Sequence, residues 1–227
     1  MATNTGKKAR RENSNACSTS GFKPIQPKNY IQGAYLEALK NNQIVFAVGS
    51  AGTGKTYVAT AFASELLYYR KINKIIITRP NVESGPSLGH LPGELDEKYL
   101  PYLVPFLDTF YDKLGQGFTD LAIKSKHIEA IPLGFLRGRS FRDCLVILDE
   151  AQNTTPSQMK LLLSRIGENC TMIVDGDVNQ CDIKGPNGLD DALGRLEGIP
   201  GIEVVHFMDE DIVRSAMCKK IILAYNK

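Results

Sequence analysis

Four short, almost unbroken apolar runs constrain this chain more than any other feature: IVFAV at 44–48, KIIIT at 74–78, CLVIL at 144–148 and TMIVD at 171–175. A strand with one face in water alternates apolar and polar residues. A run without alternation must be covered on both faces, as at the centre of a parallel sheet. Parallel neighbours need long crossovers, usually helical. Helical spacing follows or precedes these runs. Tyr30, Ile31, Ala34, Tyr35, Ala38 and Leu39 recur at that spacing in 29–41. TYVATAFASELLYY (56–69), PSQMKLLLSRIG (156–167, Pro at its start and Gly at its end) and VRSAMCKKIILAY (213–225) also read as helices. HIEAI (127–131) and IEVVHF (202–207) read as further strands. The stretch 94–114 has helical spacing with an expected break near Pro101 and Pro105, and 79–93 is a Gly- and Pro-rich connection. The expected fold is α/β, a mainly parallel sheet with helices on both faces, and no internal repeat is visible.

Composition narrows the class. The 227 residues are 43% hydrophobic, an ordinary globular value. No apolar run approaches the roughly 18 residues of a membrane span. The first residues lack the apolar core of a secretory signal, and five cysteines form an odd set with no CxxC pair. Free thiols in a reducing cytoplasm follow as the expectation, with Cys144 and Cys170 at strand edges acting as small hydrophobes. His90, His127 and His206 are scattered without metal-ligand spacing. Residues 1–27 lack periodicity and read as a disordered basic tail before one domain at 28–227. Residues 1–30 hold six cations (Lys7, Lys8, Arg10, Arg11, Lys23, Lys28) against Glu12 alone, while the whole chain is only +2. That arm is either a solvated tail or a contact for nucleic acid or a membrane surface.

The run IVFAV leads directly into GSAGTGKT, Gly49–Thr56, which satisfies G-x-x-x-x-G-K-[ST] between a strand and a helix. Glycines let successive backbone N–H groups curl around phosphates, and the helix N-terminus adds positive potential. Gly49, Ser50, Ala51, Gly52, Thr53, Gly54, Lys55 and Thr56 are thus the expected cradle for a nucleoside triphosphate. Lys55 would reach the β- and γ-phosphates, and the Thr56 hydroxyl would ligate Mg²⁺.

A second run, VILDEAQN at 146–153, ends in two acids. Asp149, at the carboxyl end of a strand beside the cradle, would hold the metal through water, and Glu150 would polarise an attacking water. A P-loop kinase needs no such base, so the pair favours hydrolysis. A third run, VDGDVNQ at 174–180, places Asp177 and Gln180 at the same sheet edge, where Gln180 would contact the γ-phosphate or the lytic water.

Together these segments resemble one family, the PhoH-like ATPases, related to the helicase superfamily-one core. The matching stretches are GSAGTGKTYVA, TRPNVESGPSLGHLPGELDEKYLPYLVP, IPLGFLRGRSF, VILDEAQNTTPSQMKLLLSRIG, VDGDVNQCDI and DIVRS, across roughly residues 27–225. The resemblance implies a RecA-like P-loop NTPase using ATP and Mg²⁺. It also implies that Gln32 reads the adenine edge, that Gln152 supports the acids before it, and that Gln180 is a sensor. Arg214 of DIVRS falls where the family places an arginine that approaches the γ-phosphate, in cis or from a neighbouring subunit. Arg79 of TRP resembles a motif that touches nucleic acid in related motors. Family members often read GPAGTGKT and VEAGE. Here Ser50 stands for the proline, which a loop working through its backbone tolerates, and the second stretch is VESGP.

A nucleic-acid partner, single-stranded RNA or DNA, is the expectation for Arg79, Arg137 and Arg139, since arginine suits phosphate contacts. Phe135, Phe141, Tyr99 and Tyr102 are either base-stacking rings or, for those in 94–111, core. Arg137 and Arg139 equally suit acids on a neighbouring subunit. A helicase motor uses two RecA-like lobes and this chain has room for one, which favours a homo-oligomer such as a ring. The rival readings are a nucleotide-gated binding or assembly switch without unwinding, and a P-loop kinase for a small molecule.

Overall fold

The computed structural model describes residues 21–80 and 95–225. The runs that read as strands all form strands: β1 (Ile44–Gly49), β2 (Lys74–Thr78), β3 (Ile128–Ala130), β4 (Cys144–Leu148), β5 (Cys170–Gly176) and β6 (Ile202–Phe207). They make one sheet in the order β3-β2-β4-β5-β1-β6, with every pairing parallel. All carboxyl ends therefore lie along one edge, and the segments that leave them meet there.

Strict alternation within the runs splits the core in two. Val45, Ala47, Ile75, Ile77, Leu145, Ile147 and Ile173 face one layer of helices; Phe46, Val48, Ile76, Val146, Leu148, Met172 and Val174 face the other. The first layer holds α1 (Tyr30–Asn41), α2 (Lys55–Tyr68), α3 (Leu95–Leu114) and α4 (Gln116–Lys124). The second holds α5 (Pro156–Leu163), α6 (Gly188–Leu196) and the 3₁₀ turn Leu133–Leu136. The chain ends in α7 (Ala216–Tyr225).

Local chemistry explains several boundaries. Asn29 caps α1 by accepting the Gln32 N–H. Thr155 and Gln158 form a reciprocal capping box ahead of α5, with Pro156 in the first turn. That helix stops at Leu163, short of the expected Gly167, because Ile166 is drawn into a parallel bridge with Phe141. The helix 95–114 runs through Pro101 and Pro105 without the expected break. Both prolines are exposed while Leu103, Phe106 and Phe110 are buried, so the hydrogen bonds they forgo lie on the solvent side. Two helices escaped the sequence reading. α4 is short and follows a glycine; α6 is embedded in a Gly-rich stretch and begins at an Asn187 cap followed by Asp190 and Asp191.

Residues 21–27, read as part of the tail, carry no helix or strand but pack on the body. Phe22 is buried against Tyr68 and Tyr69, Ile25 enters the core, and Lys23 pairs with Asp112 at 2.9 Å. Residues 1–20, residues 81–94 with the whole of VESGP, residues 226–227, and the side chain of Tyr99 lie outside the described residues. No described helix is long and apolar enough to cross a membrane.

Candidate nucleotide-binding site

A cavity of about 500 Å³ opens at the carboxyl edge of the sheet, between the loop after β1 and the ends of β2, β4 and β5. Its wall contains Lys55, Thr56, Arg79, Asp149, Glu150, Asp175, Gln180 and Arg214, residues that the sequence scatters over 160 positions.

The loop 49–54 is shaped by what touches it. Gly49 lies opposite Phe207 of β6, and a Cβ on it would come within 1.9 Å of the Phe207 carbonyl oxygen. Gly54, at φ 89°, turns the chain into α2, and a Cβ there would meet Gln32 Nε2 at 2.5 Å. Gln32 is 1% exposed, accepts the Lys28 N–H at 2.8 Å and donates to the Thr53 carbonyl at 2.8 Å, bracing the loop from α1. The Ser50 hydroxyl is tied to Asp209 at 2.5 Å.

Lys55 opens α2 and is buried. Its ammonium donates to the carbonyls of Gly49 (2.6 Å) and Ser50 (3.0 Å) and stands 3.9 Å from Asp175. Thr56 donates its hydroxyl to Asp175 at 3.0 Å. Asp175 was not singled out from the sequence, where it reads as the last residue of an apolar strand. Burial pushes its carboxyl up to about 7; Lys55 and the Thr56 hydroxyl pull against that, and the charges of Asp149 and Glu150 reinforce it. Asp149, Glu150 and Asp175 line the same cavity as Thr56, and Asp175 is the one placed on its hydroxyl. Among the described residues no protein-only cluster of three His, Cys, Asp or Glu could hold a metal.

The structure places Arg79 on Asp149, its Nε donating at 2.8 Å and its Nη2 also bonding the same oxygen. Glu150 follows with φ 57°, a left-handed backbone that strains a non-glycine residue by about 1 kcal/mol. Its carboxylate accepts from Gln152 Nε2 at 2.7 Å, and Gln152 Oε1 accepts the Asp177 N–H at 3.0 Å. Gln152, 1% exposed, therefore ties the end of β4 to the end of β5. Gln180 is exposed on the cavity wall, and its carbonyl accepts from Gln152 at 3.4 Å.

Arg214 lies over the loop of its own chain: a Cβ on Gly52 would come 2.9 Å from Arg214 Cγ, and the Val213 N–H bonds the Gly52 carbonyl. Arg137 and Arg139 are not brought to this cavity. Both are exposed beyond the turn 133–136, and Arg139 pairs with Glu129 of the edge strand β3 at 3.6 Å. Phe141 is core, while Phe135 is 55% exposed. A second cleft adjoins the cavity, lined by Arg79, Pro80, Tyr102, Glu150, Asn153, Gln180 and Asp182.

A parallel α/β sheet with this loop after β1 and acids ending β4 and β5 is the arrangement of a P-loop nucleotide-binding protein. The chain belongs to the PhoH family, a P-loop ATPase-like family: the sequence model described as PhoH-like protein matches residues 24–226. Protein PhoH of Escherichia coli K12 is 43% identical over 207 residues, covering 89% of this chain and 58% of that protein. The PhoH-like protein of Bacillus subtilis is 48% identical (90% and 65%), and that of Synechocystis is 37% identical (89% and 62%). The chain thus spans about three-fifths of the length of these relatives.

Proposed function

We propose that this chain is a cytoplasmic, Mg²⁺-dependent ATPase whose turnover responds to single-stranded RNA or DNA. The observation that supports it most is the convergence of Lys55, Thr56, Asp149, Glu150 and Asp175 on one cavity. The loop 49–54 and the N-terminus of α2 would receive the phosphates. Lys55, already holding its ammonium over the loop, needs only to exchange two carbonyl oxygens for phosphate oxygens. Thr56 and Asp149 would hold Mg²⁺, which when bound neutralises charge developing on the β- and γ-phosphate oxygens. Glu150, oriented by Gln152 at the cavity mouth, would orient and polarise the attacking water, with Gln180 beside it. Arg214 approaches from the same chain. Gln32 serves the adenine side only by giving up a contact it now makes to the loop.

The cleft adjoining the cavity shares Arg79, Glu150 and Gln180 with it, which supports coupling to a nucleic-acid strand through Arg79. We also propose a homo-oligomer, in which a neighbouring subunit would face the cavity. The test is steady-state ATPase activity with and without single-stranded RNA and DNA, with Lys55→Ala as control and light scattering in ATP alongside. Turnover raised by either strand and abolished by Lys55→Ala is the expected result. Hydrolysis indifferent to both strands would sink the coupling. Nucleotide binding without hydrolysis would leave a switch and remove the role given to Glu150. Transfer to a small acceptor would indicate a kinase, and a monomer in ATP would remove the oligomer.

A further inference from the structure

Cys144 and Cys170 open β4 and β5, neighbouring parallel strands, and stand opposite each other in the register. Adjacent strands run about 4.7–4.9 Å apart, within the Cα separation of about 4.4–6.8 Å that a disulfide spans. Both side chains enter the layer that packs against α5 and α6. Their sulfurs are 3.9 Å apart, the Cys144 thiol donating to Cys170. Each residue is only 2% exposed, yet one position separates it from solvent. Asp143 and Asn169, immediately before them, are exposed and turn through left-handed backbones at φ 51° and 49°. Asn169 Nδ2 donates to Asp143 Oδ1 at 2.9 Å, which ties the two turns together. The pair thus lies at the amino edge of the sheet, away from the cavity at the carboxyl edge. The two sulfurs differ. The Cys144 thiol, helped by the Gly167 N–H, holds the Cys170 pKa below its ordinary value against the effect of burial. The same bond, with burial, holds Cys144 well above. A more acidic thiol beside a second thiol is the arrangement of an attacking and a resolving cysteine.

We propose that Cys144 and Cys170 form a modification site for hydrogen peroxide, which closes them into a disulfide that staples β4 to β5. The Cys170 thiolate attacks one peroxide oxygen. An S–O bond forms, the O–O bond breaks, and hydroxide leaves to become water with the proton that Cys170 released. The Cys144 sulfur then attacks the sulfenic sulfur of Cys170. The S–S bond forms, the S–O bond breaks, and a second water leaves with the Cys144 proton. The two sulfurs lose two electrons and the peroxide gains them. Peroxide is scarcely larger than water, which suits a pair buried one residue below the surface. The product also suits its surroundings, because a disulfide leaves no thiolate in an apolar layer. Turning the side chains closes the 3.9 Å gap to about 2.05 Å, since the register already holds the two backbones together. No step involves the cavity or rests on the nucleotide reading.

The test is peptide mass spectrometry of the full, folded chain after exposure to hydrogen peroxide and alkylation of the remaining thiols. The expected product is a pair of peptides joined through Cys144 and Cys170, separated again by a thiol reductant. Tm of the oxidised protein should rise by about 4 °C or more, because the bond closes the chain between the two strands. In Cys144→Ala the resolving thiol is gone, so Cys170 should stop at the sulfenic acid and be labelled by dimedone. Exposed Cys181 is the internal reference. Peroxide that oxidises Cys181 while Cys144 and Cys170 stay reduced overturns the proposal, as does a link that forms only in denaturant or joins Cys170 to Cys181. An unlabelled Cys170 in Cys144→Ala overturns the order of attack. A link that fails to raise Tm overturns the staple.

Discussion

Replacing Gln152 with methionine should uncouple the ends of β4 and β5. The side chain is buried, and methionine nearly conserves its volume, so cavity formation contributes little. Three hydrogen bonds disappear. The 3.0 Å bond from the buried Asp177 N–H matters most, since a buried donor deprived of its acceptor costs about 1–3 kcal/mol. The 2.7 Å bond to Glu150 contributes less to stability, because Glu150 is exposed and water replaces the partner. The 3.4 Å contact to the Gln180 carbonyl is too long to add much. The net loss is about 1–3 kcal/mol, a fall in Tm of about 2–12 °C for a domain of this size. Glu150, freed from its brace in a left-handed backbone, should lose its aim at the water, and turnover should fall by about tenfold or more. Gln152→Glu separates the two effects. It keeps an acceptor for Asp177, so more of the stability survives, but sets a carboxylate against Glu150, so turnover falls. Thermal melts and ATPase rates on the three proteins check this. A Gln152→Met protein melting within about 1 °C of wild type at full turnover would refute the reasoning.

Further outcomes follow from the same geometry. Gly54→Ala combines a positive φ with a Cβ 2.5 Å from Gln32 Nε2, so it should lose about 1–3 kcal/mol by urea denaturation and weaken nucleotide binding. Tyr35→Phe should be neutral or slightly stabilising, because the buried Tyr35 hydroxyl has no hydrogen-bond partner among the described residues; a loss above about 1 kcal/mol would mean that the hydroxyl is bonded in solution. Without metal, the raised pKa of Asp175 contributes stability that is present below about pH 4 and lost as pH rises through about 7. Melts in EDTA at pH 5 and pH 8 should accordingly show Asp175→Asn gaining on the wild type at the higher pH, and an equal difference at both would contradict the assignment.

Much of the architecture was legible in the sequence. The apolar runs announce strands covered on both faces, and GSAGTGKT itself supplies the glycines, Gly49 and Gly54, whose positive φ the loop's two ends require. The proline that opens α5 was likewise a local signal. The prolines of α3 misled because local propensity cannot tell that their side of the helix faces water. α6 was hidden because its apolar face is short and bounded by glycines.

The sequence by itself determined a parallel α/β sheet, a phosphate loop after its first strand, and acids at the ends of two later strands. Each of these rests on side-chain period or on the backbone freedom of nearby residues. Only the tertiary structure decided which acid meets which partner: Asp175 on Thr56, Asp149 on Arg79, Arg214 over its own loop and Arg139 on Glu129. Those pairings depend on the order of strands in the sheet. Apolar periodicity marks a strand as buried but is blind to its neighbours, so placing β5 between β1 and β4 needed the packed whole.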